Sequence, residues 1–179
     1  MSYKSPIRKP PHHAFVKEVD EFMAASKELF GALEIQAYQK AREDNAWEVD
    51  YPILIDGEIR GQSLRIVTHP HELPIVWSLV LIWPPAISRL DFTTREHPNP
   101  PQIKGECHPP SVDQPHIHPW KLNKRFMTSR KTTESIPIAL PISHMKDFAT
   151  YLRWFCDENN IMLPHNHCIQ LLDKLELFE

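Results

Sequence analysis

An α+β fold, with helices over one face of an antiparallel sheet, is what this sequence predicts, on three observations. Apolar residues recur every three or four positions across residues 15–44, alternate across residues 47–92, and return to helical spacing after residue 143. The expected order is therefore an N-terminal helix, a four-stranded antiparallel meander, a long loop and two C-terminal helices.

Taken in order, Phe15, Val19, Phe22, Met23, Phe30, Leu33 and Ala37 give one apolar face with charged residues between, which reads as a single long helix over residues 15–44. The Pro-rich run MSYKSPIRKPPHHA ahead of it, residues 1–14, reads as a flexible tail, leaving 15–179 as one α+β domain. WEVDYPILI, the turn Asp56-Gly57 and GEIRGQSLRIV make a hairpin. IVWSLVLIW is a third strand stopped by Pro84-Pro85, and AISRLDF is a fourth, with Ile87, Leu90 and Phe92 as its apolar members. Periodicity then disappears over residues 93–134, apart from a short strand expected at 115–120. A loop of that length inside a compact domain usually serves a function. Ser143 reads as the N-cap of a helix carrying Met145, Phe148, Leu152, Phe155 and Cys156 and ending near Asn159-Asn160. After Pro164, Asn166 opens a final helix with Ile169, Leu172 and Leu175 inward.

Composition excludes several classes. The 179 residues hold 20 basic and 23 acidic side chains, net −3, with no run of one sign. A dedicated nucleic-acid or membrane binder leaves a larger electrostatic footprint, so neither partner is expected. The most apolar run, residues 75–87, falls short of the ~20 residues of a membrane span, and the N-terminus has no hydrophobic signal region, which makes the expected location cytoplasmic. Cys107, Cys156 and Cys168 lack CxxC spacing, against a disulfide scaffold and against a four-thiolate zinc site; no cofactor is expected. With 18 Pro against 4 Gly, stiff loops are preferred to pliant ones.

Two patterns in the loop carry chemistry. In the first, HPNPPQIKGEC, a His97-Pro98-Asn99 tripeptide is followed eight positions later by Cys107. Together with the order helix, meander, Pro-Pro, loop cysteine and helices, this resembles the ubiquitin-conjugating enzymes, including their bacterial relatives. The resemblance implies the fold of that family and a thioester chemistry. A ubiquitin-like protein would pass from an activating, adenylating enzyme to the Cys107 thiolate, and an amine on a target protein would then attack. Asn99 would donate to the oxyanion or hold the loop in shape, and His97 would be a structural loop histidine. Antiviral defence follows only from what those bacterial relatives do, and an inactive binding module of the same fold is a further alternative. Cys156, on an apolar helix face, reads as a buried inert thiol, and Cys168, beside His165 and His167, as lying near a helix cap.

The second pattern is PHIHPW. In an extended segment His116 and His118 point the same way and can act together with His97 or His108. Three imidazoles suit zinc and first-row metals; alternatively, with Arg89, Arg95, Lys121 or Arg125, they supply the acid, base and cation for RNA phosphodiester cleavage without metal. The order Arg89-x-Asp91, His97, His116-x-His118 is similar to toxin families of the TumE type. The plain alternative is a polar strand whose histidines bond to main chain. Trp77, Trp83 and Trp120 read as core or rim packing, His69 and His71 as a solvated turn, and Lys121, Lys124, Arg125, Arg130 and Lys131 as a modest basic patch.

Overall fold

The computed structural model describes residues 13–31, 35–40, 43–69, 76–93, 95–103, 105–113, 115–127 and 136–163. The expected final helix, Cys168 with its neighbouring histidines, His71, Arg130 and Lys131 lie outside them. Helix α1, His13–Ala24, opens the described chain, beginning inside the run expected as tail. The strands are β1 Lys27–Leu29, β2 Ile35–Lys40, β3 Glu43–Ile55, β4 Glu58–His69, β5 Val76–Ile82, β6 Ala86–Phe92, β7 His97–Pro98, β8 Ser111–Val112 and β9 His116–His118. Helix α2 is the short turn Trp120–Asn123; β10 Leu140–Pro141, helix α3 Phe148–Glu158 and β11 Ile161–Met162 follow. No helix among these residues is long and apolar enough to cross a membrane.

The antiparallel meander β3-β4-β5-β6 is the centre of a nine-stranded sheet in the order β10-β9-β6-β5-β4-β3-β1-β11, with β2 also on β3. Asp56 and Gly57 both adopt positive φ, 53° and 77°, the conformation that a two-residue hairpin of matching twist requires. Alternation sorts the two faces. Leu64, Ile66, Leu79, Leu81, Leu90 and Ile117 point to one side and are buried against Phe15, Val19 and Phe22 of α1 and Leu152 and Phe155 of α3. Cys156 is part of this core, as its place on the helix face implies. Trp120 packs edge-on against Phe15 and Trp83 against Phe22, consistent with core and rim roles.

The long first helix is the main correction. It stops at Ala24 because the Lys27 ammonium donates to the carbonyls of Phe22, Met23 and Ala25 at 2.7, 3.2 and 2.7 Å, answering the acceptors that a helix end leaves open. β1 then pairs with β3 and, in parallel, with β11, so sheet hydrogen bonding overrides the helical spacing; Phe30, counted on the apolar face, is exposed. The N-cap of α3 is Asp147, not Ser143: its carboxylate accepts from the Thr150 N–H at 2.8 Å. The loop is also more ordered than its composition suggests, since β7 pairs with β8 and β9 is a full member of the main sheet.

Candidate metal centre

Register places the site. β6 and β9 pair with Asp91 opposite His116, Leu90 opposite Ile117 and Arg89 opposite His118. Leu90 and Ile117 point into the core, so the flanking residues share the other face of the sheet. The small β7–β8 ribbon adds His97. The three rings lie with centroids 5.4 Å (His97 to His116), 4.7 Å (His97 to His118) and 5.1 Å (His116 to His118) apart. One donor nitrogen of each falls within 4.8 Å of the others. His116 and His118 are buried and His97 is half-buried.

Main-chain carbonyls fix two of the rings. His118 Nδ1 is 2.6 Å from the Ile136 carbonyl and His97 Nε2 is 3.0 Å from the Pro137 carbonyl. A carbonyl only accepts, so each of these nitrogens carries the proton, and the second nitrogen of the neutral ring is left with a lone pair. Donation of the far N–H to a carbonyl is the usual orientation of a ligating histidine. Ser78 orients the carboxylate in the same way, donating to Asp91 Oδ1 at 2.6 Å. Asp91 Oδ2 then lies 3.2 Å from His118 Nε2 and 3.5 Å from His116 Nε2.

Burial pushes His118 down to about 4; Asp91 pulls against this, while Arg89 and His116 add to it. The ring is neutral at neutral pH, in agreement with a single proton on Nδ1. Burial alone would raise the Asp91 carboxyl, but the His116 imidazole and the Arg89 charge outweigh it and hold the group far below the usual carboxylate range. Arg89 is the cation in contact: Nη2 is 3.0 Å from His118 Nε2, and Nε is 2.7 Å from Asp91 Oδ2.

A strap that the sequence did not reveal holds this arrangement. In the run Ile136-Pro137-Ile138-Ala139 every residue is gripped by a side chain: Ile136 by His118, Pro137 by His97, Ile138 by Asn123 and Ala139 by Asn99. Asn123 donates to the Ile138 carbonyl at 2.9 Å and accepts from its N–H at 2.8 Å. Asn99 does the same at Ala139, at 2.9 and 2.7 Å, and its second amide hydrogen goes to the Pro109 carbonyl at 2.9 Å. Each carboxamide thus takes the place of a neighbouring strand. A signal is present in the apolar alternation of SIPIALPI, which two prolines interrupt.

Of the residues singled out from sequence, His97, His116, His118, Arg89 and Asp91 converge. Cys107 is exposed on the loop between β7 and β8. Asn99 shapes that loop, since both amide hydrogens and its oxygen are committed to main chain. His108 is buried elsewhere, Nε2 lying 3.5 Å from Glu106 Oε2. Of the basic patch, Lys124 is paired with Asp20 at 2.9 Å and Arg125 with Glu106. Set against protein-family models, curated proteins and solved structures, the chain matches none.

Proposed function

We propose that this chain binds a divalent transition-metal ion through His97 Nδ1, His116, His118 Nε2 and Asp91 Oδ2, and uses it in hydrolysis. The observation that carries the reading is the convergence of three imidazoles within 4.8 Å, two of them oriented by main-chain carbonyls. A set of imidazoles and one carboxylate suits zinc, iron, cobalt or nickel, and a five-coordinate ion would keep one position for a water on the half-buried His97 side. An ion there would lower the pKa of that water and polarise the bond under attack. Burial favours a metal over metal-free histidine catalysis, because His116 and His118 are 2 % and 0 % exposed, within reach of an ion but not of an RNA phosphate. The similarity of the Arg-x-Asp, His, His-x-His order to TumE-type toxins makes RNA phosphodiesters the first substrates to try. The test is cleavage of single-stranded RNA by chain loaded with zinc, cobalt or manganese. Activity that needs the ion and disappears in His116→Ala supports the proposal; activity unaffected by chelator and by that substitution refutes it.

A second reading keeps the thioester on Cys107, favoured by the exposure of that thiol on a loop pinned at both ends. Asn99 would then act through loop shape. A reducible adduct formed with an activating enzyme, ATP and a ubiquitin-like protein, and absent in Cys107→Ala, would support it; an adduct that persists in that variant would not.

A further inference from the structure

We propose that Arg89 is an internal stand-in for the metal, and that ion binding releases its guanidinium to grip a phosphoryl oxyanion beside the ion. The inference rests on the metal reading above. His118 carries its proton on Nδ1, toward Ile136, so the bare Nε2 and the Asp91 Oδ2 anion face each other across 3.2 Å. Two electron-rich atoms keep that separation only with positive charge against both, and here the charge is a guanidinium. The same separation suits an ion, since two ligand atoms about 2.0 Å from one five-coordinate ion stand ~2.8–3.5 Å apart at angles of ~90–120°.

The guanidinium fits this place poorly. Its Nε lies within ion-pair distance of Asp91, yet the N–H is not aligned on that oxygen and finds no acceptor. Its side chain is also 35 % exposed, in contrast to the buried histidines, so it has a path outward. An ion can therefore take the His118 lone pair and the Asp91 oxygen as the guanidinium withdraws, with no bond to hydrogen broken.

Charge then determines what binds next. The Asp91–Arg89 pair is neutral as a unit, and adding a dication leaves two excess positive charges in a half-buried place, a costly state without an anion. Arg89 remains anchored on β6 two residues from Asp91, so ion and guanidinium would face one opening. A metal ion and an arginine fork side by side are complementary to the oxygens of a phosphate ester.

The experiment is an equilibrium titration of cobalt(II) into the full chain, as wild type, Arg89→Gln and Arg89→Lys, alone and with methyl phosphate or dimethyl phosphate. Thermal unfolding is used to verify that each variant is folded. Arg89→Gln, lacking the competing cation, is expected to bind the ion about tenfold more tightly, and at least one of the two esters should tighten ion binding in wild type by a similar factor and in Arg89→Gln not at all. Arg89→Lys keeps the charge but not the fork, so its ion affinity stays near wild type while the ester effect falls. Which ester acts distinguishes a monoester ligand from a diester. Equal or weaker ion binding in folded Arg89→Gln, or an ester effect that survives there, overturns the inference and leaves the metal site standing. A chain that binds no ion in any form rejects both.

Discussion

Replacement of Ser78 by alanine isolates the carboxylate as an ion ligand. The hydroxyl on β5 donates to Asp91 Oδ1 at 2.6 Å, a short bond to a charged acceptor, worth roughly 1.5–3 kcal/mol. Without it the carboxylate can rotate and turn both oxygens to Arg89, and Oδ2 no longer points to His118. Loss of such an outer hydrogen bond typically lowers metal affinity about 10- to 100-fold, or ~1.4–2.7 kcal/mol, the same range as the bond itself. The assay is competition for cobalt or zinc against a chelator of known affinity, alongside thermal unfolding with and without ion; the shift in midpoint produced by saturating ion should shrink with the affinity. Ser63→Ala, on the same sheet face but opposite Pro52 and Ile82, should leave affinity unchanged. A folded Ser78→Ala protein that binds the ion as tightly as wild type would show that Asp91 is not a ligand, and the four-donor account would fail.

Acidity should weaken the metal-free fold in a defined window. His118 titrates at about 4 in the folded chain and near 6.5 when unfolded, so between these values the unfolded state holds the extra proton, and stability rises with pH. Lowering pH from 6.5 to 4 should remove up to roughly 3 kcal/mol, read by urea unfolding, and His118→Gln should flatten that slope. A fold that gains stability on acidification contradicts the assignment. Asn99→Ala deletes three side-chain hydrogen bonds and should cost about 2–4 kcal/mol in unfolding free energy while also weakening ion binding through the loosened strap. Asn99→Asp, which cannot donate to the Pro109 and Ala139 carbonyls, should behave similarly; near-wild-type stability in both would show that the clamp is not needed. Cys107→Ala should leave ion affinity unchanged, and a large loss would place the thiol near the ion.

The central meander was legible because its strands alternate within themselves, most cleanly in β4 and β5, and its first turn is Asp-Gly. The His-x-His pair was legible for the same reason: two residues apart in an extended segment means one face. What escaped depends on contacts far along the chain. The helical spacing of residues 15–44 gave no warning that Lys27 would reach back over the end of α1, or that β1 would find β3 and β11. His97 was named both in the tripeptide and, beside His108, as a partner for His116 and His118; what left no periodic signal is the two-residue pairing of β7 with β8 on which its position, and not that of His108, depends. Asn99 was read as a donor to a reaction centre or as a holder of the loop; its amide donates to two carbonyls, one of them 40 residues away at Ala139, a partner that nothing in the sequence names. The role of residues 136–139 was hidden because side chains, not strands, satisfy their backbone.

The most direct test of the central claim is elemental analysis of the full chain after equilibration with zinc and exhaustive dialysis. One ion per chain is predicted for wild type and for Cys107→Ala, with none retained in His116→Ala or His118→Gln once each is verified as folded. A wild-type chain that retains no ion, or variants that retain as much as wild type, would contradict the account.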